Sequence, residues 1–451
     1  MAQDSGISGL ASLGRLTELR KRLVFTLLAL VVFRLGSFVP VPGVDPEAML
    51  RVMSQQQGTI VDMLNMFSGG ALERFSLFAL GVMPYISASI IIQLMATALP
   101  SMQAWRKEGE SGRRKINQLT RYSAVVLAAV QAFAAANMLQ AQSNDGIPVV
   151  FNPGMGFIFT AVVSLTAGTM FVMWLGEQIT ERGIGNGISL VIFAGIVAEL
   201  PGAVVATLAK ASEGDIDPLA LIFVALIVVA TTAAVVFIER GQRRITVNYA
   251  RRAGGRNAYQ NQSSHLPLKI NMAGVIPAIF ASSIIMFPAT LLQMFSTGQE
   301  QNLVWLQKAA AVISPGQPLY MILYATLIVG FAFFYTALQF NSQETAENLK
   351  KSGALIPGIR PGKATGEYLD GVMTRLTLAG SLYLVAVCLL PEFLQRSYNL
   401  SFYFGGTSLL IVVVVVMDTM AQVQAHLLSH QYDSVLKKAN FKGLSRSGVV
   451  R

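Results

Sequence analysis

The sequence predicts an all-α membrane protein that crosses the bilayer ten times. Hydrophobic residues make up 53% of the 451-residue chain and charged residues only 13%, about half of the roughly 25% typical of soluble domains. The apolar residues also form long blocks, and a helix needs about 20 of them to cross the hydrocarbon. Composition and block length together indicate that the solvent is a bilayer. The predicted spans cover residues 23–39, 75–98, 121–139, 156–175, 184–200, 218–238, 271–295, 318–340, 372–391 and 403–425.

The spans divide into five and five. A first half covers residues 23–200 and a second half residues 218–425, with a periplasmic connection at 201–217. Because each half holds an odd number of spans, the halves would run in opposite directions, as inverted repeats do. The flanking segments, 1–22 and 426–451, would then lie on one side of the membrane.

Lysine and arginine counts give the orientation. The side that holds both termini carries 26 of these residues in its loops, whereas the opposite loops carry 5. Cytoplasmic loops are enriched in Lys and Arg. Both termini are therefore predicted to be cytoplasmic.

Two cytoplasmic loops, 239–270 and 341–371, are long, basic and rich in turn residues. Neither is apolar enough to predict a domain core. Orientation alone needs only a few positive charges, so one interpretation is positive-inside bias and the other is a docking surface. A docking partner would be acidic or would carry nucleic acid.

Residues 58–74 break the pattern of long spans. The stretch is mildly apolar, too short to cross, and contains Gly69 and Gly70. A short apolar segment can be re-entrant, and irregular backbone at membrane depth is tolerated only inside protein or beside a watery cavity. The alternative is an ordinary periplasmic loop.

The sequence holds no recognisable catalytic or metal-binding constellation. Its three histidines, His265, His426 and His430, lack cysteine or carboxylate partners at metal-site spacing, and Cys388 is the only cysteine. We therefore expect no enzyme activity, no bound metal and no cofactor. Any transport would draw its energy from an ion gradient or from a partner.

Ionisable residues in the spans bear on a competing function, secondary transport of a small solute. Such transporters keep charges inside the bundle. Here Arg34, Glu177, Arg375 and Asp418 all fall near predicted membrane boundaries, where snorkelling suffices. The polar span residues Ser87, Gln93, Gln131 and Asn271 suit interhelical hydrogen bonds or a gating role.

Long strings spread over nearly the whole chain resemble the SecY/Sec61-alpha family of protein-translocation channels. They include RLGSFVPVPGVD, NMFSGGALERFSLFALGVMPYISASIIIQL, MWLGEQITERGIGNGISLVIFAGIV, ERGQRRITVNYARR, HLPLKINMAGVIPAIFASSI, ENLKKSGALIPGIRPG and FYFGGTSLLIVVVVVMD. The resemblance implies two pseudo-symmetric halves that enclose an hourglass pore. It also implies that a short re-entrant helix at about 62–72 is a plug.

The resemblance assigns residues to the pore. The plug would include Asn65, Phe67, Ser68, Gly69 and Gly70. A ring of branched aliphatic side chains would form the constriction, with valine at position 82 where isoleucine is expected. The ring positions implied by the family motifs are Val82, Ile86, Ile188, Ile192, Ile279 and Ile411.

The resemblance further implies a lateral gate through which apolar segments reach the lipid. It would lie between spans 75–98 and 121–139 on one side and 271–295 and 318–340 on the other. Ser87, Gln131 and Asn271 would tune its closure. The docking residues implied for SecA and the ribosome are Arg243, Arg244, Arg251, Arg252 and Arg360.

The implied partners follow from the same family. They are SecE and SecG in a heterotrimer, the ATPase SecA, the ribosome with its rRNA, preproteins and their signal peptides, and membrane lipid, with SecDF and YidC as further partners. The implied location is the bacterial inner membrane. The implied activity is translocation of unfolded preproteins, driven by SecA or the translating ribosome.

Overall fold

A computed structural model describes residues 17–54, 65–141, 143–144, 147–214, 218–249, 263–285, 317–398 and 406–446. Helices dominate the first half. They are α1 (Thr17–Gly36), α2 (Pro46–Ser54), α3 (Met83–Ala98), α4 (Pro100–Lys107), α5 (Glu110–Ala141), α6 (Met155–Arg182) and α7 (Gly187–Ser212), with the short strands β1 (Ser143–Asn144) and β2 (Ile147–Pro148) between α5 and α6.

The second half mixes long helices with a small sheet. Its elements are α8 (Pro218–Arg240), β3 (Gln242–Tyr249), β4 (Ser263–Lys269), α9 (Ile276–Ile285), α10 (Pro318–Gln339), α11 (Ser342–Lys351), β5 (Ala354–Leu355), α12 (Lys363–Tyr398) and α13 (Gly406–Arg446).

Each of the ten predicted spans overlaps a helix. Within the described ranges, seven helices are long and apolar enough to cross a bilayer by themselves, and the pair α3 and α4 adds an eighth. The remaining two predictions fall on α1, which carries several charges at its start, and on α9. Residues 286–295 of the seventh predicted span lie outside the described residues.

The second span is shorter than predicted. Residues 75–82 form turns, and the helix begins only at Met83, with Pro84 in its first turn. Proline favours a helix start because its fixed φ suits the first turn, where the missing N–H is not needed. At its other end α3 bends by 101° into α4, so the predicted boundaries 75–98 were wrong at the start.

Two further boundaries differ. α7 extends to Ser212 through Pro201, into the segment predicted as the periplasmic connection 201–217. α13 extends to Arg446, so most of the predicted tail, 426–451, continues the last helix. Both helices extend beyond their apolar stretches because the backbone hydrogen bonds of a helix do not require apolar side chains.

The two basic loops meet in one small sheet, which the sequence analysis did not predict. β3 pairs antiparallel with β4 along its length and with β5 at Asn248 and Tyr249, giving the order β4–β3–β5. The expectation that these loops could not form a core was wrong, because the sheet packs on α12. The buried cluster there comprises Ile245, Val247, Leu268, Ala354, Ile356, Leu369, Val372 and Met373.

The largest buried cluster lies where both halves meet. It takes residues from α1, α3, α6 and α7 of the first half and from α9, α10, α12 and α13 of the second. Phe33 and Ile328, one from each half, are almost completely buried in it. This junction positions the candidate site.

Candidate functional site

Five of the six predicted ring residues lie on four helices, Val82 lies in the turn just before α3, and all six share one apolar cluster. Five of them are members of the central buried cluster, and Ile188 is half-buried and packs against it. Ile192 and Ile411 are almost fully buried, at 1% and 0% exposure. All six side chains are aliphatic, so they offer no hydrogen bonds to water or ions.

The described part of the predicted plug, residues 65–72, packs into the same cluster. Met66, Phe67 and Ala71 are buried members of it, together with Val82 and Ile86. Residues 62–64 of the predicted plug lie outside the described residues. The apolar side of the plug segment therefore lies against the ring positions Val82 and Ile86.

Polar groups within the plug segment bond to one another. The Ser68 hydroxyl donates to the Asn65 carbonyl at 2.9 Å, and the Leu72 amide donates to the Ser68 hydroxyl at 3.3 Å. The Asn65 side chain accepts from the Glu73 amide at 3.0 Å. Because buried polar groups need partners, these bonds let the turn sit inside an apolar environment.

Two glycines bring the backbone of the plug segment against α7. A Cβ on Gly69 would lie 2.7 Å from the Cα of Gly195, and a Cβ on Gly195 would lie 3.2 Å from the Gly69 amide nitrogen. Gly69 and Gly70 also have φ of +70° and +74°, a region that costs other residues about 1–2 kcal/mol. Any side chain at Gly69 would separate the plug segment from α7.

Charged side chains surround the same two glycines. The Arg34 guanidinium on α1 donates to the Gly69 carbonyl at 2.6 Å. A Cβ on Gly70 would lie 2.8 Å from the Glu199 carboxylate and 3.9 Å from the Arg74 guanidinium. The prediction that Arg34 only snorkels was therefore wrong, because a residue 35 positions away supplies its acceptor.

Two of the other predicted boundary charges, Glu177 and Asp418, also have partners. Arg121 on α5 forms a two-pronged ion pair with Glu177 on α6, at 2.9 and 2.8 Å. Asp418 on α13 lies 3.8 Å from Lys269 at the end of β4. Both ion pairs are partly exposed. Such pairs contribute about 0–1 kcal/mol to folding stability, so their main effect is to fix the position of one element against another.

The predicted gate residues are dispersed. Ser87 is buried on α3, and Gln131 is half-buried on α5. The amide of Asn271 donates to the Glu239 carboxylate at 2.6 Å and to the Gly274 carbonyl at 3.1 Å. Asn271 therefore bonds within its own half.

In the part of the chain that the structure describes, two polar contacts cross the predicted gate, beside the apolar packing of the central cluster. The Ser283 hydroxyl on α9 lies 3.9 Å from the sulfur of Met83 on α3. The Arg106 guanidinium on α4 donates to the Leu338 carbonyl, near the end of α10, at 3.3 Å. A cavity of about 920 Å³ borders this second contact.

The described part of the predicted docking surface lies on the small sheet and its neighbouring turn. Arg243 and Arg244 are exposed on β3, and Arg360 is exposed in the turn after β5. We call the sheet β4–β3–β5 with this turn the platform. Gly358 and Gly362, at φ of +82° and +109°, flank Arg360, and Arg251 and Arg252 lie outside the described residues.

Four residues that the sequence analysis did not assign to a site contribute to these contacts. Gly195, Glu199 and Glu239 gave no local signal, because each contacts a residue that is distant in sequence. Arg34 was visible as a charge within an apolar stretch, but its acceptor is a backbone carbonyl, which no sequence pattern reveals. Among the described residues, no cluster of histidine, cysteine and carboxylates could hold a metal ion.

Comparison with known proteins gives matches over nearly the whole chain. The SecY family model matches residues 76–420. Protein translocase subunit SecY of Escherichia coli strain K12 is 59% identical over 447 residues, which covers 99% of this chain and 100% of the relative.

Solved structures match at the level of the fold. One concerns the plug domain of a SecY protein that stabilises the closed state of the translocation channel (TM-score 0.64, 18% identity, 91% of this chain and 93% of that chain). Another is the idle yeast Ssh1 complex bound to the yeast 80S ribosome (TM-score 0.60, 16% identity, 96% and 95% covered).

Proposed function

Because the chain belongs to the SecY family of protein translocase subunits, we propose a specific arrangement of ring, plug, gate and docking surface for it. The chain is the protein-conducting channel subunit of a translocase, and it is a multi-pass membrane protein, not an enzyme. The alternative of a small-solute transporter is thereby set aside. The substrates we assign are unfolded preproteins and their signal peptides.

The single observation that carries the proposal is the shared burial of the plug segment and the ring positions. Phe67 of the plug segment and Val82, Ile86, Ile192, Ile279 and Ile411 belong to the same cluster. A continuous apolar contact excludes water, and dewetting excludes ions. We therefore take this conformation as the closed channel.

The ring suits a polypeptide better than a charged collar would. Branched aliphatic side chains make no hydrogen bonds, so they neither select nor retain the polar side chains of a passing chain. The ring resists ions while empty and yields around a chain while occupied. Val82 is one methylene smaller than isoleucine, which changes the fit of the ring and not its chemistry.

The gate is placed between α3 and α5 on one side and α9 and α10 on the other. Two polar contacts, Ser283 to Met83 and Arg106 to Leu338, and the apolar packing of the central cluster hold this seam closed in the resting state. Burial in lipid of about 20 apolar residues of a signal helix drives its exit. Ser87, Gln131 and Asn271 remain proposed to tune the closed state.

The platform is proposed as the surface that SecA and the ribosome use in turn. Its exposed arginines suit phosphate groups of rRNA or acidic side chains of a motor ATPase. SecE and SecG complete the heterotrimer, while SecDF and YidC are proposed as further partners. The location is the bacterial inner membrane, with both termini in the cytoplasm.

Reconstitution tests this function directly. Liposomes that contain the chain with SecE and SecG are given SecA, ATP and a radiolabelled preprotein, and protease-protected preprotein is measured. We expect protection that depends on ATP and SecA. No protection, alongside uptake of small solutes without SecA, would contradict the proposed function.

A further inference from the structure

Residues of three different elements meet at the Gly69–Gly70 backbone of the plug segment. Arg34 on α1 holds the Gly69 carbonyl at 2.6 Å. Glu199 on α7 approaches Gly70 so closely that a Cβ there would lie 2.8 Å from its carboxylate. Arg34 also interacts electrostatically with the like charge of Arg74 and with the opposite charge of Glu199. One carboxylate and one guanidinium thus close around two successive peptide units.

Arg34 is held in place by a second contact that does not depend on the plug. Its guanidinium lies 4.7 Å from the centre of the Phe38 ring, and that of Arg74 lies 4.6 Å from the same ring. Such cation–π contacts restrain an arginine side chain. Arg34 therefore has one restraining contact that involves no residue of the plug segment.

The chemistry of the contact between Arg34 and Gly69 fits a reversible closure. A charged donor on a backbone carbonyl is among the stronger hydrogen bonds, and here it lies partly buried. When the plug leaves, the carbonyl and the guanidinium exchange this bond for water, so the bond biases the resting state without making it permanent. On the plug side, the bond uses only the backbone carbonyl of Gly69, so it does not depend on plug side chains.

We propose that Arg34, with Glu199 as its counter-charge, is a positioning residue that latches the plug segment in its docked place by gripping the Gly69–Gly70 backbone. This inference rests on the proposed function, since it needs the plug to seal a channel. It goes further because it assigns the strength of the seal to a charged contact outside the apolar ring.

The test measures plug release separately from translocation. Met66 is buried in the plug segment, so Met66→Cys places a thiol whose labelling by a membrane-impermeant maleimide reports undocking. The full complex with SecE and SecG is compared with and without Arg34→Met, and the chain without Met66→Cys corrects for labelling of Cys388. Resting ion leak is recorded in planar bilayers.

We expect Arg34→Met to raise both the labelling rate and the leak about tenfold, the effect of losing one charge-assisted hydrogen bond. Arg34→Lys keeps the charge and one donor and should recover part of the loss, while Glu199→Gln should give a smaller increase. Arg22→Met, at the exposed start of the same helix, is the matched control and should leave both values unchanged.

Two outcomes distinguish a failure of the proposed latch from a failure of the proposed function. If the unmodified chain translocates preprotein but Arg34→Met alters neither labelling nor leak, the latch is overturned while the function stands. If the unmodified chain does not translocate, the function itself fails. If the complex with Arg34→Met does not assemble, the same test is made with Arg34→Gln. That variant is also neutral, so a labelling rate equal to that of the chain with Arg34 also overturns the latch.

Discussion

The plug segment and the platform have opposite chemistry, and we propose opposite tasks for them. At the plug, Gly69 and Gly195 bring two backbones together and the surrounding side chains exclude water. On the platform, Arg243 and Arg244 on β3 and Arg360 in the turn after β5 are exposed to solvent. The first region works by close packing and the second by exposed charge. Changes in each should therefore affect different measurements, resting leak and driven translocation.

The largest expected effect is at the plug. Gly69→Ala forces a side chain against Gly195 and into a backbone region that disfavours it. Together these cost the docked plug about 3 kcal/mol, so the resting leak should rise about a hundredfold. The measurement is single-channel current without SecA.

Gly330→Ala is the matched control, because a Cβ at Gly330 meets nothing within 4 Å. It should leave the current unchanged. SecA binding should be normal in both variants. A resting leak in Gly69→Ala equal to that of the unmodified complex would contradict the docking of the plug through its backbone.

The platform gives the second-largest effect. Arg360→Glu reverses a charge at an exposed turn, and like charges across an interface cost several kcal/mol, so SecA-driven translocation should fall at least about tenfold. Copurification with SecE should be unchanged, as should the resting leak. Protease-protected preprotein and SecA affinity are the measurements.

Lys351→Glu makes the same charge change at the end of α11, where the residue is also exposed. It is the control for net charge alone and should retain translocation. Equal loss in both variants would show that general charge, and not the position of Arg360, sets the docking.

Long-range contacts explain which parts of these regions were predictable from sequence. Hydropathy located a helix in every predicted span because about 20 consecutive apolar residues are a local signal. The stretch that breaks the pattern of long spans was also visible, since Gly69 and Gly70 interrupt a short apolar segment. Gly195, however, is 126 positions from Gly69, and nothing near it indicates a backbone contact.

The sheet of the platform was missed although it left a signal. Ile245 and Val247 alternate with exposed residues on β3, which is the period of a half-buried strand. The surrounding arginines and glycines made the loop look polar as a whole. Its third strand, β5, comes from the other loop, and pairing across more than 100 residues has no local signature.

Asn271 lies between β4 of the platform and α9. Its substitution has the third-largest expected effect. Its amide pairs with the carboxylate of Glu239, which is only 8% exposed. Asn271→Ala leaves that group without its partner at a cost of about 1–3 kcal/mol. The melting temperature of the complex in detergent should fall, and both leak and translocation should change less than in the variants above.

Asn348→Ala, at an exposed position of α11, is the control for loss of an amide and should not lower the melting temperature. An unaltered melting temperature in Asn271→Ala would mean that water replaces the lost bond at no cost.

The smallest expected effect is at the ring itself. Val82→Ile adds one methylene to a side chain that is 2% exposed and lies in the cluster with the plug. Burial of a methylene favours closure by about 0.8 kcal/mol, so the leak should fall by about fourfold. The opposite change on the second half, Ile279→Val, should raise the leak by a similar factor.

The pair of ring variants decides whether ring size or local packing controls the closed state. Opposite shifts in leak mean that the ring acts as one collar whose total volume sets the seal. If both variants raise the leak, overpacking at Val82 outweighs the added contact, and the plug must be displaced by a larger ring. The seal would then depend on the backbone contact at Gly69 more than on the aliphatic ring.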